Sequence, residues 1–434
     1  MDLPFTRHAL ANGLTVIIHE DHRCPIVGVN LWYHVGSKNE SPGHTGFAHL
    51  FEHLMFEGSE HHDRDYFYPL QQAGASVNGS TNADRTNYWE VVPTGALELA
   101  LWMESDRMGY LLPALTASKF ENQREVVLNE RRQNYENRPY GLASMALLAA
   151  LYEPEHPYHW PTIGVPDDLR AATLEDVHEF FRRHYHPGNA SLAIAGDVDP
   201  GATLRLVEAY FGDIPAGSPP GKVARAPAPA SPRKLFFEDR VELPRLYLSW
   251  HSPAIFAPGD ADLDLLADLV AGGKSSRLYR SLVYERRIAT DVTAMQNSRE
   301  LSSFFQVVVT AAPGHGLSAI ERAILDEIER VASDGPQSGE LERSLAQAEA
   351  HFVYRLQNVG GFGGKSDQLN AYHVFLGDPG YFERDLLRYR AATVSSIRAA
   401  AAQHVARIAP LSLSIVPRGQ AVLAVADSER VTPS

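Results

Sequence analysis

The residues His49-Leu50-Phe51-Glu52-His53 lie in an apolar run from Phe47 to Phe56 whose spacing predicts a helix ending before Gly58. Histidines four apart on a helix project from one face, about a turn from each other, so both imidazoles can reach a single metal ion. Glu52, three residues after His49, falls on the same side. Neutral imidazoles suit Zn²⁺, and a carboxylate beside the metal that does not ligate it can take a proton from water and pass it to a leaving amine. The order is inverted relative to the commoner zinc-hydrolase helix, with the carboxylate next to the second histidine. In a chain of 434 residues with 19 His the pentapeptide alone is not diagnostic, because two helix histidines also fit a solvated face. Catalytic zinc usually takes three protein ligands and keeps one position open, so a further His or acid must come from another element. The helical stretch from Ala117 to Gln133 offers Glu121, Glu125 and Glu130, and helical period does not choose among them.

The elements around this motif fall into two similar series. Leu14 to His19 and Ile26 to Val35 are rich in β-branched and aromatic residues, are bounded by Gly13 and Gly36, and read as strands. Helical patterns follow at Phe47 to Phe56, Leu97 to Met108 and Ala117 to Gln133, then a strand at Ser191 to Gly196. The later series has strands within Leu235 to Trp250, a helix at Asp262 to Val270, a strand at Phe304 to Thr310, a long helical stretch before Val359, and a last strand at Leu411 to Val416. Between the series, Pro215 to Lys234 alternates prolines with Ala, Gly and Ser, as an extended linker does. The expected organisation is therefore two α+β domains, residues 1–214 and 235–434, joined by a linker at 215–234.

Composition narrows the function classes. With 44% hydrophobic and 21% charged residues the chain is an ordinary globular protein. Lys+Arg 39 against Asp+Glu 53 leaves a formal charge of −14, which argues against a nucleic-acid binder. The single cysteine, Cys24, excludes an intrachain disulfide and a thiolate cluster; between two strands it reads as a small buried apolar residue. No stretch has the ~18 apolar residues of a membrane span, and residues Met1 to His8 lack a signal pattern. The expected location is cytoplasmic, or periplasmic if a signal was removed.

Three separated segments carry a resemblance. GHTGFAHLFEHLMFEGS (Gly43 to Ser59), FENQREVVLNERRQNYENRPYG (Phe120 to Gly141) and GNASLAIAGDVDP (Gly188 to Pro200), followed by YFGDIP (Tyr210 to Pro215), resemble the pitrilysin, insulin-degrading enzyme and mitochondrial processing peptidase family. The resemblance implies two homologous α+β domains, each a mainly antiparallel sheet packed with helices, the first holding zinc and the second metal-free. It implies His49, His53 and Glu130 as ligands of one Zn²⁺ per chain and Glu52 as general base of an endopeptidase acting on extended peptides. It also implies that Ala75 to Pro93 contains an edge strand pairing with substrate, with Asn78 and Gly79 as contacts. The competing reading of Asn78-Gly79 is a tight hairpin turn. The competing reading of the whole chain is a non-catalytic core or scaffold subunit of the same fold, although such chains generally have a broken metal motif. A purely structural zinc site would need a fourth protein ligand.

Some features depart from the family pattern. Some members have a glutamate where this chain has Gln123, so an auxiliary acid is not expected there and Glu52 acts alone. Overlaying Gly58 on Gly272 puts Leu263, Leu266 and Ala267 at the motif positions, so the second half carries no metal motif. The Arg and Tyr that a metal-free domain contributes in this family are missing from Ser303 to Val308, with Arg299 and Arg322 the nearest alternatives. The expected partner is therefore a second subunit, in a dimer with a homologous metal-free chain that supplies the pair, or in a homodimer that dispenses with it; no nucleic acid or membrane partner is expected. Gly272-Gly273-Lys274-Ser275 and Gly363-Gly364-Lys365-Ser366 lack the first P-loop glycine, having Asp268 and Val359 there. Gly360 to Gly364 resembles the glycine-rich segment of processing peptidases. No role is assigned to His34, His44, His61 or His62.

Overall fold

The computed structural model describes residues 3–218, 220–223 and 233–433. Much of the expected linker, residue 219 and residues 224–232, lies outside the described residues.

The first sheet contains β1 (Thr6–Ala9), β2 (Thr15–Glu20), β3 (Ile26–Tyr33), β4 (Ser76–Thr81), β5 (Thr86–Pro93) and β6 (Ala190–Gly196), in the order β1-β2-β6-β3-β5-β4. The second contains β7 (Lys234–Asp239), β8 (Arg245–Ser252), β9 (Ala289–Asn297), β10 (Ser303–Ala311), β11 (Leu411–Pro417) and β12 (Glu429–Arg430), in the order β12-β7-β11-β8-β10-β9. Matching β2 through β6 to β7 through β11 gives the same order twice, the mark of an internal duplication. Pairing is antiparallel except for β2 with β6, β7 with β11 and β7 with β12, so each sheet is mixed. The central strands β6 (ASLAIAG) and β11 (LSLSIVP) are buried along their whole length, which is why they contain only small or apolar residues, β11 with its serines buried as well.

The compact units follow the two sheets but not the two halves of the chain. Unit 1 comprises Met1–Glu130, Trp160–Ala224 and Phe352–Arg384; unit 2 comprises Arg131–His159, Arg225–His351 and Asp385–Ser434. Each sheet thus receives a segment from the other half. In unit 1 the helix Lys365–Leu376 packs on β3 and β6. It is fastened there by polar side chains: Trp32 Nε1 donates to Asp367 Oδ1 at 2.9 Å, Asn30 and Asn87 each approach the same oxygen at 3.3 Å, and Asn370 donates to the Asn30 carbonyl at 2.8 Å. Gly360 lies so close to Gly28 that a Cβ on Gly28 would be 2.6 Å from the Gly360 Cα. In unit 2 the helix Ala143–Leu151 packs on β11, and Tyr140, whose ring lies under Arg245 at 3.7 Å, donates to the Leu243 carbonyl at 2.7 Å. A linker composition marks one crossing between halves; it carries no signal for segments that complete a distant sheet by side-chain contact.

Two smaller expectations meet the structure here. Cys24 is exposed and not buried, because it sits in the turn that leads into β3. The GKS lysine Lys365 is buried in an ion pair with Asp21, which leaves it unavailable to a phosphate.

Candidate metal centre

The first helices are α1 (Phe47–Leu54), α2 (Phe67–Gln72), α3 (Leu97–Ala114) and α4 (Ala117–Arg131), and the site is built on α1, α2, α4 and the edge strand β4. Phe47, Ala48, Leu50, Phe51 and Leu54 bury one face of α1, with Phe51 stacked on Phe180 at 5.5 Å. That burial turns His49, Glu52 and His53 to the opposite face. Tyr88 on β5 donates to the Phe51 carbonyl at 3.2 Å and so fixes the helix against the sheet.

Of the three glutamates that α4 offered, Glu130 is the one brought to the histidines; Glu121 and Glu125 are exposed on the helix. His49 Nε2 and His53 Nε2 lie 3.6 and 3.4 Å from Glu130 Oε2, and the three donor atoms all lie within 4.8 Å of one another. These separations are too long for hydrogen bonds. They match the ~3.4 Å that separates two donors on bonds of ~2.0–2.1 Å at a tetrahedral angle. Burial, with His53 adding to it, pushes the His49 imidazole below its ordinary pKa, which keeps it neutral as a ligand must be. The donor set of two neutral imidazoles and one carboxylate therefore fits a divalent ion. No fourth His, Cys, Asp or Glu joins the cluster among the described residues, and His34, His44, His61 and His62 are outside it.

Glu52 stands beside this cluster without joining it. Burial raises its carboxyl pKa, opposed by the nearby Thr81 hydroxyl and by the charges of His53 and Arg85. A cleft of about 580 Å³ opens next to it, lined by Glu52, His53, Phe56, Glu57 and Asn78 among others. Asn78 and Gly79 lie inside β4 opposite Trp89 and Tyr88, not in a hairpin turn; the strand pairing with β5 overrides the local turn preference of the dipeptide. A Cβ at Gly79 would come within 3.1–3.3 Å of the Tyr88 and Phe56 rings, so a side chain there would push those rings by a few tenths of an ångström. β4 ends the strand order, so its outer edge borders the cleft as the expected edge strand would.

Several residues here were not singled out from the sequence. The Thr81 hydroxyl, which donates to the Ala48 carbonyl on α1 at 3.5 Å, lies near the Glu52 carboxylate, and Arg85, held by Nη1 to the Ser80 carbonyl at 2.9 Å, contributes positive charge to it. Gln123, where an acid was noted as missing, donates to Glu57, so a second carboxylate still faces the cleft. Thr81 and Arg85 close the segment that contains Asn78, a proximity that could have been noticed; Glu57 carries no sequence signal. In unit 2 the helix Asp260–Ala271 follows β8 as α1 follows β3, and its Leu263, Leu266 and Ala267 are buried in the core. Arg299 lies over the Tyr158 and Phe304 rings at 5.3 and 5.2 Å, and Arg322 is exposed.

With this geometry in place, comparison with known proteins is consistent along the chain. Residues 15–159 match the family described as insulinase (peptidase family M16), and residues 171–348 match the peptidase M16 inactive domain. The chain belongs to peptidase family M16, the pitrilysin family. It is 28% identical over 355 residues to the zinc protease PqqE of Helicobacter pylori, covering 80% of this chain and 79% of that protein. A crystal structure of a protease from Helicobacter pylori superposes with a TM-score of 0.88 at 24% identity, covering 96% of this chain and all of the other. A chain of complex III₂ from Candida albicans shares the fold at a TM-score of 0.78 and 15% identity, over 95% of this chain and 96% of that one.

Proposed function

We propose that the chain is a zinc-dependent endopeptidase that hydrolyses extended peptides, with His49, His53 and Glu130 as metal ligands and Glu52 as general base. The observation that carries this reading is the convergence of three suitable donors with a separate, half-buried carboxylate at the mouth of a cleft bordered by a free strand edge. A zinc ion held there supplies Lewis-acid polarisation of a carbonyl and lowers the pKa of water to about 7. Glu52 then accepts the proton of the attacking water and delivers it to the leaving amine. Glu52 is well placed for this role because it stands beside the three donors, at the lining of the cleft, without being one of them. The outer edge of β4, including Asn78 and Gly79, binds the substrate main chain by strand addition, which grips a peptide whatever its sequence. The naming of relatives as zinc proteases supports the metal identity.

The reading extends to a dimer in which a homologous metal-free subunit supplies the Arg and Tyr missing from β10. A scaffold role is the second reading, favoured by the fold shared with complex III₂. The intact donor set and the separate Glu52 weigh against it. Mass-spectrometric detection of cleavage of unstructured peptides by the purified zinc-loaded chain, with and without chelator, tests the proposal. Chelator-sensitive cleavage supports it. Absence of cleavage both alone and with a metal-free homologue, despite bound zinc, refutes it in favour of the scaffold.

A further inference from the structure

Helix α1 begins without the usual cap. Its N-cap is Gly46, in the left-handed region at φ 87°, and that residue has no side chain to accept from the first-turn amides. The acceptor comes instead from Glu40, a buried residue on the preceding loop. Its Oε2 accepts from Gly46 N at 2.9 Å and its Oε1 from Ala48 N at 2.8 Å. Both carboxyl oxygens are thus bound to the start of the helix, the second of them at the amide immediately before His49. No capping side chain fits at this position: a Cβ on Gly46 would lie 3.0 Å from the Gly164 Cα.

A second carboxylate holds the same loop without touching the helix. Asp168 Oδ2 accepts from Thr45 N at 3.2 Å and Thr45 Oγ1 at 2.7 Å, and Thr45 Oγ1 in turn accepts from Val165 N at 2.9 Å. The loop would therefore remain tied to residues 165–168 if Glu40 were removed. What would be lost is the tie between the loop and the helix that carries both histidines.

We propose that Glu40 is a positioning residue for the metal centre: it sets the axial position and rotation of α1, and through them the aim of His49 and His53 at Glu130. A buried acid whose oxygens are both committed to the helix of the donor residues has the place of an outer support, the kind whose loss typically weakens metal binding 10–100-fold. The inference rests on the reading of His49, His53 and Glu130 as metal ligands. It concerns orientation, so Glu40 touches neither metal nor substrate.

The test compares the full chain with Glu40→Ala, Glu40→Gln and Asp168→Asn. Zinc affinity is measured by chelator competition, the Co²⁺-substituted ligand-field spectrum reports donor geometry, and amide hydrogen exchange over α1 is followed in the metal-free protein. Glu40→Ala is expected to weaken zinc about 10–100-fold, to alter the Co²⁺ spectrum and to speed exchange at the first turn of α1. Glu40→Gln, which keeps one acceptor oxygen, is expected to restore part of each, and Asp168→Asn to leave the spectrum as it is. The proposal is overturned if exchange over α1 is unchanged in both Glu40 variants, or if Asp168→Asn changes zinc affinity and spectrum as much as Glu40→Ala does. Should Glu40→Ala fail to fold, Glu40→Gln against Asp168→Asn decides alone. Failure of every form, wild type included, to bind zinc would refute the metallopeptidase reading, while α1 exchange would still decide whether Glu40 holds the helix.

Discussion

Replacing Glu130 examines the donor set most directly. Its Oε2 lies 3.6 and 3.4 Å from the His49 and His53 Nε2 atoms, so Glu130→Ala reduces three donors to two. Structural zinc sites with four protein ligands bind with about 10–16 kcal/mol, or roughly 2.5–4 kcal/mol per donor. At 1.4 kcal/mol per tenfold, loss of one donor should weaken zinc about 10²–10³-fold. Glu130→Gln keeps an oxygen at the same place but removes its charge, and about 10–100-fold is expected. The Glu130 side chain is 35% exposed, so neither change should cost more than about 1 kcal/mol of folding stability, and the loss would not be secondary to unfolding. Zinc content and chelator-competition affinity of the purified chain provide the measurement, with circular dichroism as the check on folding. Unchanged affinity in Glu130→Ala, with loss instead in Glu121→Ala or Glu125→Ala, would refute the assignment.

Glu52→Gln should leave zinc content as in wild type while lowering the rate of peptide cleavage about 10²–10⁴-fold; near-normal turnover would remove Glu52 as the base. Asp367→Ala takes from the buried indole N–H of Trp32 and from Asn30 Nδ2 the acceptor they have among the described residues. At ~1–3 kcal/mol per orphaned donor, a stability loss of about 2–6 kcal/mol is expected in urea titration, and a change below about half a kcal/mol would refute the account. For Glu40, burial raises the carboxyl pKa from 4.5 to about 8, and Asp168 adds to the rise. The folded chain therefore holds this proton more tightly than the unfolded chain, and the resulting stabilisation, present below about pH 4.5, is lost as pH rises through about 8. His44 and His184 line the cavity beside Glu40, so the comparison must be with Glu40→Gln under identical conditions. Wild type minus variant should fall by roughly 3–5 kcal/mol across that window, and parallel pH profiles would show that Glu40 does not titrate this way.

The sequence shows the chemistry more clearly than the support for it. His49, Glu52 and His53 are legible because one helix and one period place them, and their apolar neighbours orient that helix. Glu130 is different: α4 presents three glutamates, and the choice depends on how α4 packs relative to α1, a tertiary relation that only the family resemblance supplied. Asn78-Gly79 shows local preference overruled, since a dipeptide favouring turns becomes strand when β5 offers a full ladder of partners. Glu40 and Thr81 act through a loop and an edge strand, where no periodicity connects them to α1. Most strands are legible as β-branched runs; β1 and β9 are polar-rich outer strands that pair locally with β2 and β10 and carry a weaker pattern, whereas the exchanged segments depend on contacts between residues hundreds of positions apart.

Those exchanged segments bear on how the molecule is made. Unit 1 is not covalently complete until Phe352–Arg384 has been synthesised, although the motif helix lies near the start of the chain. On the ribosome, β3 and β6 must wait with Trp32 and Asn30 unsatisfied while unit 2 is translated, exposing a face that invites chaperones or a neighbouring copy. Expression of residues 1–214 alone would leave that waiting state permanent. The metal-bearing half is thus dependent on its own distant continuation, and proteolytic loss of the later segment would strip the sheet behind the site while leaving every ligand in place.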